Sequence, residues 1–114
     1  PHVVQDSCHI DGRPVIYSLG NAVSNMSAKN TRLGLVVELT FVKKECGECT
    51  VREPSLNFTW CTLPGTLTDN YMTIDIKKWA TRRSEWLTDS DYLNMVSTLK
   101  RVAEATSIVW PIEN

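Results

Sequence analysis

Six side chains in this sequence are imidazoles or thiols, which bind metals or attack electrophiles: His2, His9, Cys8, Cys46, Cys49 and Cys61. An imidazole nitrogen or a thiolate can ligate a metal, and a thiolate can also exchange disulfides. Cys46-Gly47-Glu48-Cys49 has the C-x-x-C spacing shared by zinc ribbons, redox pairs and some tight turns. Redox pairs sit where a strand feeds a helix, because the helix N-terminus lowers the thiol pKa. Here the pair lies between two extended runs. A structural hairpin turn, with free or partly disulfide-linked thiols, is therefore the first reading. A small zinc module built on Cys8, His9, Cys46, Cys49 and Cys61 comes second, because structural zinc commonly uses two paired half-sites and only one C-x-x-C occurs. Redox catalysis comes third. Four cysteines allow three disulfide connectivities, and spacing alone does not choose among them.

Other chemistry is sparse. No Walker loop, G-x-S-x-G elbow or H-E-x-x-H helix occurs. Asp89 and Asp91 open a helical pattern, where capping accounts for them. Taken alone, His2 and His9 read as solvent-exposed side chains. With 12 basic and 13 acidic residues the chain carries a net charge of -1, which gives no electrostatic pull toward nucleic acid or an anionic membrane surface. The basic cluster Lys77-Lys78 with Arg82-Arg83 reads as a solvated face. No apolar run approaches the roughly 20 residues that cross a bilayer, so no membrane contact is expected of this segment. Asn25-Met26-Ser27 and Asn57-Phe58-Thr59 are glycosylation tripeptides that matter only on a eukaryotic secretory route. A hydrophobic share of 42% and 114 residues fit one folded domain.

The elements that must position these residues are mostly strands. Asp11-Gly12 between apolar flanks predicts a hairpin joining residues 2–10 to Val15-Ile16-Tyr17, with Gly20-Asn21 ending the second strand. Residues 24–32 are polar and read as a surface loop. From Gly34 to Lys43 the pattern alternates, with Val37, Leu39 and Phe41 on one face of a single half-buried strand. Residues 49–53, broken by Pro54, suit an edge strand or bulge. Leu56, Phe58 and Trp60 share one face of the next strand, or of one bent strand. After a Pro64-Gly65 turn, Met72, Ile74 and Ile76 share a face of the last. A short helical turn is expected around Lys77–Arg83. Tyr92, Met95, Val96, Leu99, Val102, Ala103 and Thr106 then follow the helical repeat. Thr88 with Asp91 resembles a capping box, and Pro111 stops the helix beyond Trp110. The expectation is an α+β fold, with a mostly antiparallel sheet of about five strands and a C-terminal amphipathic helix.

Two short blocks carry a resemblance. Pro1-His2-Val3-Val4-Gln5, followed by Val15-Ile16-Tyr17-Ser18-Leu19-Gly20-Asn21, resembles the late motif of the CapA or PgsA proteins of capsule and poly-γ-glutamate biosynthesis. Those proteins belong to the calcineurin-like metallophosphatase superfamily. Their motif runs His-Pro-His-Val into a strand ending Tyr-Ser-Leu-Gly-Asn. The apolar strand at 34–39 and the strand at 71–76 also fit, whereas the Cys46/Cys49 pair does not belong to that pattern. From Lys44 to Gly65 and from Lys77 onward the likeness is one of layout only.

The resemblance implies that this is the C-terminal part of a metallophosphatase-like α/β sandwich, with the chain opening in mid-motif. It implies that His2 ligates a two-metal centre of divalent ions in the parent protein, and that Tyr17, Ser18, Gly20 and Asn21 form a loop near that centre. For the loop residues, shaping of the turn is the reading preferred over substrate contact. The first histidine of the pair would precede Pro1, so the isolated chain is expected to hold no metal and to be inactive. The resemblance further implies the rest of the parent domain as partner, and a bacterial cell envelope or periplasmic setting for a parent whose segment here is soluble. The rival expectation is a non-enzymatic binding module, dimerising through exposed strand edges.

Overall fold

The computed structural model describes residues 1–108. The Asp11-Gly12 turn joins β1 (Ser7–Ile10) to β2 (Arg13–Ile16). Both turn residues have positive φ, 52° and 73°, which is the backbone that a two-residue hairpin turn needs. Pairing runs Ile10 with Arg13 and Ser7 with Ile16, and it continues past the strands to Val4 with Leu19.

The central sheet has the order β3-β6-β7, all antiparallel, formed by β3 (Leu33–Glu38), β6 (Ser55–Thr62) and β7 (Met72–Asp75). Its inner face presents Leu33, Leu35, Phe58, Trp60 and Ile74 to α2 (Asp89–Ala105), which returns Met95, Leu99 and Val102. That is the alternation of strands meeting the three-to-four spacing of a helix, as the sequence patterns require. Ile76 is fully buried as the first residue of α1 (Ile76–Trp79), whose cap is Asp75 accepting from the Lys77 N–H at 3.0 Å. A 3₁₀ turn at Arg83–Glu85 leads into α2.

The α+β class, the antiparallel pairing and the terminal helix hold. The single sheet of about five strands does not: among the described residues seven short strands form three small sheets. The expected strand from Gly34 to Lys43 is two strands, β3 and β4 (Phe41–Lys43), and β4 pairs only with β5 (Cys49–Val51). The β3-β6 ladder ends at Glu38 opposite Ser55, next to Pro54, a residue that suits the end of a strand rather than its interior. When pairing resumes at Phe41 with Val51, Leu39-Thr40 on one side face Arg52-Glu53-Pro54 on the other. This is a bulge of one residue on the 52–54 side. Leu39 and Phe41 lie past the end of the β3-β6 ladder, beyond the core, and are 46% and 70% exposed. Met72 is only partly covered, 37% exposed, although Ile74 and Ile76 keep the shared face. The expected stop at Trp110 and Pro111 lies outside the described residues.

Candidate functional site

The hairpin register carries the site. Continued two residues beyond Val4 with Leu19, it sets His2 opposite Asn21. The gap is closed by a contact of 2.8 Å between His2 Nδ1 and Asn21 Oδ1. Two glycines let this edge lie flat on β3. Gly20 bridges Gly34, and a Cβ on Gly20 would stand 2.7 Å from the Leu33 carbonyl oxygen, while one on Gly34 would stand 2.5 Å from that of Asn21. Gly20 also has φ +68°, so the residue type is demanded twice. Ser18 ties the strand to the chain start, accepting from the Gly20 N–H at 3.2 Å and donating to the Pro1 carbonyl at 3.3 Å.

Asn21 decides the protonation of His2. Its amide nitrogen donates to the Thr31 carbonyl at 3.1 Å and to Met26 Sδ at 3.5 Å. The amide oxygen must therefore face the imidazole, and an amide oxygen only accepts. Nδ1 is the donor, and in the neutral ring the lone pair sits on Nε2. An imidazole whose Nδ1–H is held by an oxygen acceptor while Nε2 stays open is the arrangement of a metal-ligating histidine. His2, Ser18, Gly20 and Asn21 are thus brought together. Tyr17 is not: its ring is 58% exposed and its hydroxyl lies 3.6 Å from Cys8 Sγ. That sulfur contact, and then the charge of the thiolate, push the phenol above its usual range.

The other candidates lie apart. His9 meets Glu53 of the bulge at 3.0 Å, an exposed pair beside a groove of about 610 Å³ that Cys8 also lines. Asp6 accepts from the Ser107 N–H at 2.9 Å, the Ser107 hydroxyl at 2.7 Å and the Ser7 N–H at 2.7 Å. These bonds, led by the Ser107 N–H, hold its carboxyl below the usual range and clasp the hairpin to the end of α2. All four cysteines are free. Cys46 lies in the β4-β5 turn and Cys49 opens β5, as the hairpin reading expects. Cys61 is buried in β6, its sulfur 3.7 Å from the Ala22 carbonyl oxygen. Among the described residues no three His, Cys, Asp or Glu side chains gather as a metal donor set, so Cys8, His9, Cys46, Cys49 and Cys61 do not form one cluster.

One polar centre escaped the sequence reading. Thr88 is the N-cap of α2 but makes no side-chain cap bond, and Asp91 does not serve the cap. Asp91 is buried and accepts from Arg32 Nη1 at 2.6 Å and Nη2 at 3.0 Å, with Trp60 Nε1 at 3.5 Å. Arg32 Nε donates to the Cys61 carbonyl at 2.9 Å, and its guanidinium lies 4.5 Å from the Trp60 ring centre. The signal was available: Asp91 shares the helical stripe of Met95, Thr98, Leu99 and Val102, and a carboxylate on a core face needs a cation.

No family model matches the chain, and no curated protein or solved structure matches it either.

Proposed function

We propose that this chain is the C-terminal part of a CapA-like, metallophosphatase-fold protein in which His2 is one ligand of a two-metal centre. The parent acts as a metal-dependent hydrolase or transferase in capsule or polyglutamate biosynthesis, and residues 1–114 alone are inactive. The observation that supports this most directly is the 2.8 Å contact of His2 with Asn21, which commits Nδ1 as donor and leaves Nε2 for a metal. The two blocks behind the resemblance thereby meet as paired ends of one hairpin. Paired divalent ions in such a centre polarise a phosphate-like group and activate water. The chain's own part is to orient the imidazole: Asn21 fixes the tautomer, and the contact between Gly20 and Gly34 fixes Asn21. A lone imidazole does not offset the dehydration of two cations, so the remaining ligands belong to sequence preceding Pro1.

The coding sequence upstream of Pro1 tests the family reading. A histidine codon immediately before Pro1, with Asp, Asn and His ligand motifs further upstream, is expected; a start codon and signal peptide there would overturn it. The inactivity is tested with a chromogenic phosphoester and added Mn²⁺. No turnover is expected of the 114-residue chain. Turnover lost in His2→Ala would refute that half.

A further inference from the structure

Between Asn21 and β3 the chain helps to build a second polar feature. A cavity of about 90 Å³ lies between the 27–30 loop, the approach to β3 and one face of α2. Lys29, Arg32 and Arg101 are its charged lining residues, and no carboxylate lines it. Asp91 balances Arg32 from behind. Among the described residues no ion pair engages Lys29 or Arg101. Two positive charges therefore face this space unmatched.

The donors are also held in place. Arg101 Nε donates to Asn30 Oδ1 at 2.9 Å and its Nη2 to Thr98 Oγ1 at 3.3 Å. These two bonds fix the guanidinium plane and leave three of its five N–H groups uncommitted. The Arg32 side chain is only 7% exposed and clamped by Asp91 and the Cys61 carbonyl, yet it keeps one spare hydrogen on each Nη. Thr98 turns its hydroxyl hydrogen to Asn94 Oδ1. Asn30 Oδ1, Asn94 Oδ1 and Thr98 Oγ1 already accept within the lining, while N–H donors remain. The volume exceeds the ~10–15 Å³ that one water requires and falls far below the ~300 Å³ of a cofactor cleft. It suits an anion of a few heavy atoms.

We propose that this cavity binds a small doubly charged oxyanion of the phosphate class, held by Arg101 and Lys29 against the rigid Arg32-Asp91 pair. Arginine forks and ammonium groups are the usual partners of such anions. His2 does not line the cavity, so the proposal stands or falls apart from the metal-centre reading.

The test is a titration of the full 114-residue chain with inorganic phosphate at constant ionic strength, read from amide chemical shifts. Saturable shifts at Lys29, Asn30 and Arg101 are expected, with Kd on the order of 1 mM. Arg101→Gln should weaken binding about tenfold and Lys29→Gln about fivefold. Arg101→Gln also releases Asn30, so Lys29→Gln, whose side chain is exposed, is the deciding variant. Absence of saturable shifts, or a Kd untouched by Lys29→Gln, overturns the site. Acetate binding as tightly as phosphate overturns the assignment of a dianion.

Discussion

Gly34→Ala adds one methyl group where the Gly20-Asn21 segment crosses β3, and its sign is not obvious in advance. The new Cβ would stand 2.5 Å from the Asn21 carbonyl oxygen and 2.7 Å from Thr59 Oγ1. The threonine hydroxyl can rotate away, but the carbonyl is backbone. Restoring an ordinary contact of 3.4 Å requires the segment to retreat by about 1 Å. That retreat breaks the bridge between Gly20 and Gly34, and with it the 2.8 Å bond from the Leu35 N–H to the Leu19 carbonyl. Alanine gains about 0.4–1 kcal/mol by restricting the unfolded chain. Against this stand about 1–3 kcal/mol for overpacking and about 0.5–1.5 kcal/mol for the lost hydrogen bond. The clash wins, with a net loss of about 2 kcal/mol and a fall in Tm of about 8 °C. Thermal unfolding followed by circular dichroism measures the loss. Imidazole ¹⁵N shifts measure the consequence for the site: His2 should be Nδ1-protonated when neutral in the parent, and should relax toward the Nε2–H form of a free histidine in the variant. An unchanged Tm together with an unchanged tautomer would refute the account of how Asn21 is positioned.

Two further outcomes follow from the buried and the exposed carboxylates. Asp91→Asn leaves the Arg32 guanidinium buried without its counter-charge and should cost about 3–5 kcal/mol in urea unfolding, while Arg32→Met with Asp91→Leu should recover most of that. Additivity of the single changes within about 0.5 kcal/mol would show that the pair is not coupled. Asp6 has a folded pKa below its unfolded one, so its contribution is fully present above pH about 4 and is lost as pH falls through the folded value. The Tm gap between the parent and Asp6→Asn should therefore shrink on acidification below pH about 4, and a gap constant with pH would contradict the Ser107 clasp.

Periodicity made most of the elements legible. Leu56, Phe58 and Trp60 do share the buried face of β6, and Met95, Leu99 and Val102 do face the sheet. What alternation could not reveal is a change of partner. From Val37 through Phe41 the sequence still alternates, but alternation says only that faces differ, not which neighbour completes the ladder. Pro54, on the opposite strand, signals an edge or a bulge but not that β5 becomes the new partner. The missed Arg32-Asp91 pair has a different origin. Asp91 stood where a capping residue belongs, and a local explanation that sufficed hid the tertiary one, although its place on the core stripe of α2 required a cation.

The meeting of His2 with Asn21 was more legible than either, and for a mechanical reason. A two-residue turn at Asp11-Gly12 fixes the hairpin register, and antiparallel pairs then count outward in lockstep. Ile10 with Arg13 implies Val4 with Leu19, and that in turn implies His2 with Asn21. The sequence alone therefore contained the pairing of the two blocks as a count of residues. The hydrogen-bond phase shifts within that span: β1 begins only at Ser7, and the Tyr17 and Gln5 N–H groups bond to the Asp6 and Ser18 carbonyls at 3.1 Å each, on adjacent pairs, before the bridge of Val4 with Leu19. Periodicity could not supply Gly34, because a glycine in an apolar run carries no signal about the backbone that crosses it. The histidine's chemistry is thus set by a turn nine residues away and by a methyl group that β3 lacks.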